Sequence, residues 1–428
     1  MIHQQTHDES LDERLAQESG VSLYCGFDPS ADSLHVGNLI PMMGLAFFLR
    51  HGHEPTALVG GATGRIGDPS GKSAERVLLD ADRIERNVQG IRKQLHVILN
   101  RALQLHPEGV QRASSEPVQV EVVNNASWMD GWSYIDFLRD VGKHFSVNQM
   151  MARDSVRTRL TEREQGISYT EFSYMLIQSY DFLHLFNERG CSLQLGGSDQ
   201  WGNITAGTDL IRRSTGKTAY GLTLPLLTTA EGKKFGKSEA GAVFLSTEYT
   251  SPYKFYQYWV NQNDADMPSL LRTFTFLPRE EIEALLGLIE RGENRNDVQR
   301  ALAYEVTALV HGVEVADSVV VASKLLFSED LAELEDSLVH DIFEDAPSST
   351  IASDRLTQGV SLIDLLVETG LQKGKGAARR LLGQGGVYIN NVRVEDESYT
   401  LTGEDLLTQS MLILRCGKRK YHAVCVEI

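Results

Sequence analysis

Three lysines, Lys233, Lys234 and Lys237, crowd the segment TTAEGKKFGKSEAG (228–241), where glycine recurs at 232, 236 and 241. The chain around them carries a formal net charge of -17. A solvated turn is the plain reading of such a segment. The chemical reading is a mobile cationic loop that closes on a polyphosphate and stabilises charge developing in a transition state. A second cluster, FDPSADSLHVGN (27–38), sets Ser30, His35, Gly37 and Asn38 between a strand and a helix, where backbone N–H groups favour phosphate. In SYMLIQSYDF (173–182), Tyr174, Gln178 and Asp181 follow i, i+4, i+7 spacing and share one helix face. A phenol, an amide and a carboxylate on one face suit a small zwitterionic ligand; a solvent-facing stripe is the alternative. GDPSGKS (67–73) is not a phosphate-binding P-loop, because Ile66 stands where that motif requires glycine. Its glycines still let backbone approach a ligand, and Asp68 offers a carboxylate there.

These groups need a scaffold that brings them together. VSLYCGF (21–27), PTALVGG (55–61), VQVEVVNN (118–125) and CSLQLGG (191–197) read as apolar strands. Helical patterns separate them: HVGNLIPMMGLAFFLRHG, DADRIERNVQGIRKQLHVILNRAL, and a helix after the fourth strand capped by Ser198 or Asp199. Strands alternating with helices predict an α/β fold with a parallel sheet covered on both faces. Ligands of such sheets lie beyond the strands' carboxyl ends. The pattern turns helical from about 251 to 312, with Val298, Leu302, Val306 and Val310 on one stripe. Residues 344–360 lack periodicity and read as a linker or the edge of a tail domain. The tail sets nine Lys/Arg against eight Asp/Glu in an otherwise acidic chain.

Composition is that of a soluble globular protein of two or three domains, and no apolar run is long enough to span a membrane. The polar, acidic N-terminus lacks a secretory pattern, so the expected location is the cytoplasm. The four cysteines form no C-x-x-C pair, so no protein-bound metal site is expected.

Taken together, the segments resemble bacterial tyrosyl-tRNA synthetases of class I. HVGN (35–38) is similar to the class I H-I-G-H element and KFGKS (234–238) to its K-M-S-K-S element. LYCGFDPSADSLHVG, ALVGGATGRIGDPSGK, YMLIQSYDF and LQLGGSDQWGNI resemble that family's segments in the family's order. GKGAARRLLGQGGVYINNVRV (374–394) is similar to the small S-four-like RNA-binding domain such enzymes carry. Asn38 departs from the second histidine of H-I-G-H, and Phe235 and Gly236 from the Met and Ser of K-M-S-K-S.

The resemblance implies a Rossmann-like catalytic domain over 1–225, binding tyrosine and ATP. It implies the KFGKS loop and a helical anticodon-side domain over 226–343, a linker over 344–360, and the RNA-binding domain over 361–428. It also implies site roles. Tyr24 and Asp181 take the substrate phenol, Asp68, Tyr174 and Gln178 its ammonium, and Gln200 its carboxylate. Cys25, Gly197 and Asp199 face the ATP ribose, with Gly26, Asp28 and Gly37 lining the same nucleotide site. Ser30, His35, Asn38, Lys234, Lys237 and Ser238 serve the phosphates, and Lys72 and Arg76 the pyrophosphate. Lys373, Lys375, Arg379, Arg380, Lys418, Arg419 and Lys420 contact tRNA. The partners implied are L-tyrosine, ATP with Mg²⁺, the tRNA for tyrosine and a second copy of the chain, with no membrane. Tryptophanyl-tRNA synthetase is the neighbouring alternative. An RNA-binding or splicing protein built on a dead synthetase is disfavoured because His35, Lys237 and the pocket triad are intact.

Overall fold

The computed structural model describes residues 2–18, 20–70, 79–111, 120–153, 156–157, 160, 166–228, 235–238, 241–325, 339, 343, 347–417 and 420–427. The chain divides into two units: Met1–Thr250 with Tyr258–Gly312, and Ser251–Gln257 with Val313–Ile428.

The first unit is built on a six-stranded sheet: β1 (Gln4–Gln5), β2 (Ser22–Phe27), β3 (Glu54–Val59), β4 (Glu121–Asn124), β5 (Leu193–Gly197) and β6 (Tyr220–Leu224). The spatial order is β1-β6-β5-β2-β3-β4. Every pairing is parallel except β1 on β6. β3 buries Pro55 through Val59 without a break, as expected of a strand covered on both faces. The sequence runs β2, β3, β4 to one side and β5, β6 to the other. A crevice therefore opens at the carboxyl ends of β2 and β5, the place where such sheets bind ligands.

Helices α1 (Asp8–Gln17), α2 (Leu39–Arg50), α3 (Ala81–Gln104), α4 (Ala126–Met129), α5 (Tyr134–Asp140), α6 (Val147–Met151), α7 (Tyr169–Arg189) and α8 (Trp201–Thr215) accompany the sheet. The Asp80 carboxylate caps α3 by accepting the Arg83 N–H at 2.7 Å, and Ile84, Val88, Ile91, Leu95, Ile98 and Leu99 form its buried stripe. α7 starts at Ser168, whose hydroxyl accepts the Glu171 N–H, and stops at Gly190, whose φ of 64° suits glycine. A short hairpin, β7 (Lys237–Ser238) with β8 (Gly241–Ala242), follows the sheet. Then come α9 (Met267–Phe274), α10 (Arg279–Arg291) and α11 (Arg295–His311). The stripe of α11 is buried as its spacing predicts: Val298, Leu302 and Val306 are 0% exposed.

Three local expectations change. The helix read from His35 begins as a separate 3-10 turn, Val36–Asn38, before α2. Ser198 and Asp199 do not cap a helix; they lie inside a 3-10 turn, and neither its N-cap Gly197 nor the α8 N-cap Gln200 uses a side chain. The four expected strands are joined by two more: YGLTL (220–224) is strand β6, and β1 pairs on its outer edge.

The second unit carries a five-stranded sheet in the order β12-β11-β14-β15-β9. From Pro347 onward its elements are β9 (Ser348–Ala352), α12 (Ser353–Gln358), β10 (Val360–Ser361), α13 (Leu362–Glu368), α14 (Lys375–Gly383), β11 (Val387–Ile389), β12 (Val392–Val394), β13 (Thr400–Leu401), β14 (Met411–Cys416) and β15 (Lys420–Glu427). The β11–β12 hairpin turns on Asn390 and Asn391, both at positive φ, a conformation that two-residue hairpins require and asparagine tolerates. Leu362, Leu366, Leu382, Val387, Leu412 and Leu414 lie in its core.

Residues 344–360 are therefore not a linker where they are described. β9 adds in parallel to β15, and Ile351 and Leu356 enter the core. The segment lacks helical or alternating periodicity because it is cut into a five-residue strand and a six-residue helix. The boundary expected at 226 also shifts, since 226–250 and 258–312 cluster with the sheet. Ile351→Ala should cost the second unit about 2–4 kcal/mol through a core cavity. Differential scanning calorimetry should show its transition lowered and that of the first unit in place; a substitution in a linker would move neither.

Candidate active site

Tyr24 leaves the middle of β2 with 1% of its surface exposed, and its buried hydroxyl meets no hydrogen-bond partner among the described residues. Burial, then the charge of Asp181, raises its pKa well above the ordinary phenol value. Asp181, on α7, is also buried. Its two oxygens are served separately: Asn125 Nδ2 donates to Oδ2 at 2.9 Å and Trp128 Nε1 donates to Oδ1 at 2.8 Å. Burial pushes the Asp181 carboxyl up to about 7, while those two donors pull the other way. Asn125 is locked in turn, accepting the Ala62 N–H at 2.7 Å. A carboxylate with spare lone pairs and a phenol without a partner, charge-coupled and buried together, form a receptor for one more hydroxyl.

A cluster of acceptors gathers around the preceding turns of the same helix, drawn from it and from the loops after β2, β3 and β5. Asp68 accepts the Ser70 N–H at 2.9 Å and Gln200 Nε2 at 2.6 Å. Gln178 Nε2 donates to Gln200 Oε1 at 3.2 Å, and its own Oε1 is buried without a partner among the described residues. The Tyr174 hydroxyl donates to Asp28 Oδ2 at 2.9 Å, which leaves its oxygen as an acceptor. Asp28 Oδ1 accepts Thr63 Oγ1 at 2.8 Å. Asp68, Tyr174 and Gln178 thus present acceptors suited to the three protons of an ammonium. Glycines make the room: a Cβ on Gly60 would lie 2.4 Å from Asp28 Oδ1, and one on Gly61 would lie 2.3 Å from Asn124 Oδ1.

The HVGN turn is self-capped. Asn38 Oδ1 accepts the His35 N–H, and His35 Nδ1 accepts the Gly37 N–H, both at 3.0 Å. Because Nδ1 accepts, the neutral ring carries its proton on Nε2, as a phosphate donor needs. The KFGKS segment docks directly on this turn. Gly236 has a φ of +90°, and a Cβ there would sit 2.9 Å from the Gly37 nitrogen. Val36 N–H donates to the Val243 carbonyl at 2.9 Å and Leu245 N–H to the Leu34 carbonyl at 2.8 Å. Phe235 is 5% exposed and packs among Tyr258, Trp259 and Phe274. The phenylalanine thus anchors the loop, and the glycine brings it against its partner.

The remaining expected residues sort by place. Cys25 is buried beside Asp199; burial pushes its thiol up to about 12, with the Asp199 charge a smaller contribution. A Cβ on Gly197 would meet Asp199 Oδ1 at 2.6 Å. Gly26 and Ser30 are exposed at the exit of β2. Lys237 and Ser238 are placed in β7 by their backbones, their side chains not being described, and Lys234, Lys72 and Arg76 lie outside the described residues. In the second unit, Lys375 pairs with Asp364 at 2.6 Å and Arg379 with Glu397 at 3.8 Å. Lys373, Arg380 and Lys420 are exposed without an ion pair among the described residues, and Lys418 and Arg419 lie outside them.

The family described as tRNA synthetases class I (W and Y) matches residues 16–328, and the tyrosine–tRNA ligase SYY-like C-terminal domain matches 339–424. The chain is 50% identical to the tyrosine–tRNA ligase of Roseiflexus castenholzii over 97% of its own length and 95% of the relative's. It is 48% identical to tyrosine–tRNA ligase 1 of Bacillus subtilis, over 99% and 96%. A C-terminally truncated mitochondrial tyrosyl-tRNA synthetase of Aspergillus nidulans superposes with a TM-score of 0.69 at 32% identity, covering 76% of this chain and 91% of that one. The chain belongs to the class I tyrosyl-tRNA synthetase family.

Some members of the site have no signature in the sequence. Asn125 and Trp128 belong to no motif, although VEVVNN places asparagines at the end of a strand, where polar residues carry weight; Thr63 lies within the glycine-rich ALVGGATGRIGDPSGK segment, but nothing there singles it out. Asp28, expected on the nucleotide side, is bonded to Tyr174 as well. Since Gly236 closes on Gly37, Gly236→Ala should slow ATP-dependent activation of the amino acid at least tenfold, through positive-φ strain and the clash. Tyrosine affinity should stay within about twofold. Single-turnover kinetics beside equilibrium dialysis separates the two effects.

Proposed function

We propose that this synthetase joins L-tyrosine to the 3′-terminal ribose of the tRNA for tyrosine in two steps. In the first, a tyrosine carboxylate oxygen attacks the ATP α-phosphorus, the bond to the β-phosphate bridge breaks, and pyrophosphate leaves. No proton has to move, so the chemistry rests on position and on donors aimed at developing charge. His35 Nε2–H, Asn38 and the KFGKS lysines Lys234 and Lys237, with Ser30 and Ser238, fill that role in this reading. Lys72 and Arg76 join them at the pyrophosphate. In the second step a ribose hydroxyl attacks the tyrosyl carbonyl, an ester forms, and AMP leaves.

The observation that carries the choice of amino acid is the buried Tyr24 hydroxyl without a partner beside Asp181. A substrate phenol donating to Asp181 and bonded to Tyr24 satisfies both. Phenylalanine leaves the buried Tyr24 hydroxyl unpaired, at about 1–3 kcal/mol, and denies Asp181 a third donor. An indole presents its N–H at another position. Asp68, Tyr174 and Gln178 hold the ammonium and Gln200 the carboxylate side; Cys25, Gly26, Gly197 and Asp199 receive the nucleotide.

Mg²⁺ enters this scheme on the phosphates of ATP. Among the described residues no three His, Cys, Asp or Glu side chains gather to hold an ion, whereas phosphate oxygens suit that hard cation. The second unit supplies the tRNA grip, through its exposed cations Lys373, Arg380 and Lys420 with Lys418 and Arg419. The cytoplasm fits four cysteines that all carry free thiols. Among the described residues no helix is long and apolar enough to cross a membrane.

A homodimer completes the reading. Tyr134, Ile135, Val147, Met151 and Tyr169 are 46–70% exposed on α5, α6 and the start of α7. Tyr134 and Tyr169 meet at 3.2 Å through their hydroxyls, and Phe137, Phe145 and Phe172 pack beneath around Met150, Met175 and Leu176. An apolar face of this kind suits a second copy of the chain. Sedimentation should give a dimer for the native chain and a monomer for Ile135→Asp.

Amino-acid-dependent pyrophosphate exchange tests the activity. Tyrosine should support it, with phenylalanine and tryptophan far behind. Asp181→Asn should erode the tyrosine-to-phenylalanine ratio by at least tenfold; an unchanged ratio would sink the phenol assignment.

A further inference from the structure

The Asp181 carboxylate depends on the aim of one indole. Trp128 sits on α4, a helix of four residues whose N-cap, Asn125, makes no side-chain capping bond; its amide is committed to Ala62 and Asp181 instead. So short a helix has little stability of its own. Trp128 is only partly buried, at the edge of the cluster of Tyr24, Leu58, Phe182 and Leu185. A terminal aromatic torsion is broad, so an unclamped indole sweeps its N–H away from a fixed acceptor. In this chain a second ring lies over it. His184 stacks on Trp128 with centroids 4.5 Å apart and planes 20° from parallel.

His184 follows Asp181 by three residues on α7, so the two side chains are neighbours on one helix face. The acceptor carboxylate and the ring that stacks on its donor are therefore held on one rigid element. His184 is supported in turn by Tyr180, with centroids 6.2 Å apart, and Tyr180 packs edge-on against Trp132 at 5.3 Å. Burial pulls the His184 imidazole below its usual pKa, which favours the neutral ring.

We propose that His184 is a positioning residue for tyrosine recognition: by stacking on Trp128 it holds the indole N–H on Asp181 Oδ1. The inference rests on the reading of Asp181 as the carboxylate that takes the substrate phenol. His184 does not touch substrate in this scheme. It acts through Trp128, and stacking is the property it contributes. Any flat ring at 184 therefore serves, and an aliphatic or amide side chain of similar size does not.

The test measures tyrosine dissociation constants by equilibrium dialysis, with pyrophosphate-exchange kcat and the KM for ATP, on the full chain. His184→Phe should stay within about twofold of the native chain. His184→Leu and His184→Gln should each raise the tyrosine dissociation constant about tenfold, as expected when a bond to a buried carboxylate is loosened, with kcat and the ATP KM unchanged. Trp128→Phe should show a similar loss, and adding His184→Leu to it should cost nothing more, because the two residues form one unit. Equal affinity for the Phe, Leu and Gln variants would overturn the proposal, and so would a further tenfold loss in the Trp128→Phe background. If His184→Leu prevents folding, the Phe and Gln variants carry the comparison. Asp181→Asn serves as the control. An effect there with none at His184 defeats this inference alone, and none at either defeats the phenol assignment itself.

Discussion

A carboxylate buried in an apolar pocket governs the layout of this site. Asp181 loses its water, and burial makes its charge costly. Two N–H donors from elsewhere in the chain offset that cost, Asn125 just past β4 and Trp128 on α4. The exit of β4 must therefore meet the middle of α7. Asn125 is fixed to the loop after β3 through Ala62, and that loop carries Thr63 to Asp28 and Asp28 to Tyr174. One network of short polar contacts ties three strand ends to one helix, so the pocket is rigid before substrate arrives.

The pocket is left unsatisfied in two places. Among the described residues the Tyr24 hydroxyl has no partner, and the Gln178 carbonyl has none. In the proposed reading these atoms meet the two ends of tyrosine, Tyr24 the phenol hydroxyl and Gln178 the ammonium. A fold stable enough to leave two buried polar groups unmet gains affinity and selectivity from the ligand that meets them.

The contact between the HVGN turn and the KFGKS segment follows a different rule. There the backbone does the fitting, through two glycines on segments about 200 residues apart in sequence. Gly236 and Gly37 approach closely enough that a single Cβ would collide. Phe235 holds the loop by burying its ring among three aromatics. In the second unit some basic side chains are neutralised by acidic neighbours, as Lys375 is by Asp364, and others, such as Arg380, are left unpaired among the described residues.

Much of this could be read from local order. The apolar runs at Ser22–Phe27 and Glu54–Val59 and the stripe of Arg295–His311 follow from burial and helical period, and they appear where the pattern puts them. Spacing alone put Tyr174, Gln178 and Asp181 on one face, because i, i+4 and i+7 are neighbours on any α-helix. Local order fails where the partner is distant. β1 has no strand signature and pairs only because β6 offers an edge; β9 reads like a linker because its stabilising contacts come from β15, some 75 residues on. Asn125, Trp128 and His184 carry no motif. A side-chain donor has no periodicity, and its acceptor lies more than 50 residues away for both Asn125 and Trp128. The chemistry of the pocket was legible in residue types and their spacing along one helix. The aim of its carboxylate, and the ring that steadies that aim, arose only when β4, α4 and α7 packed together, because orientation belongs to contacts between elements.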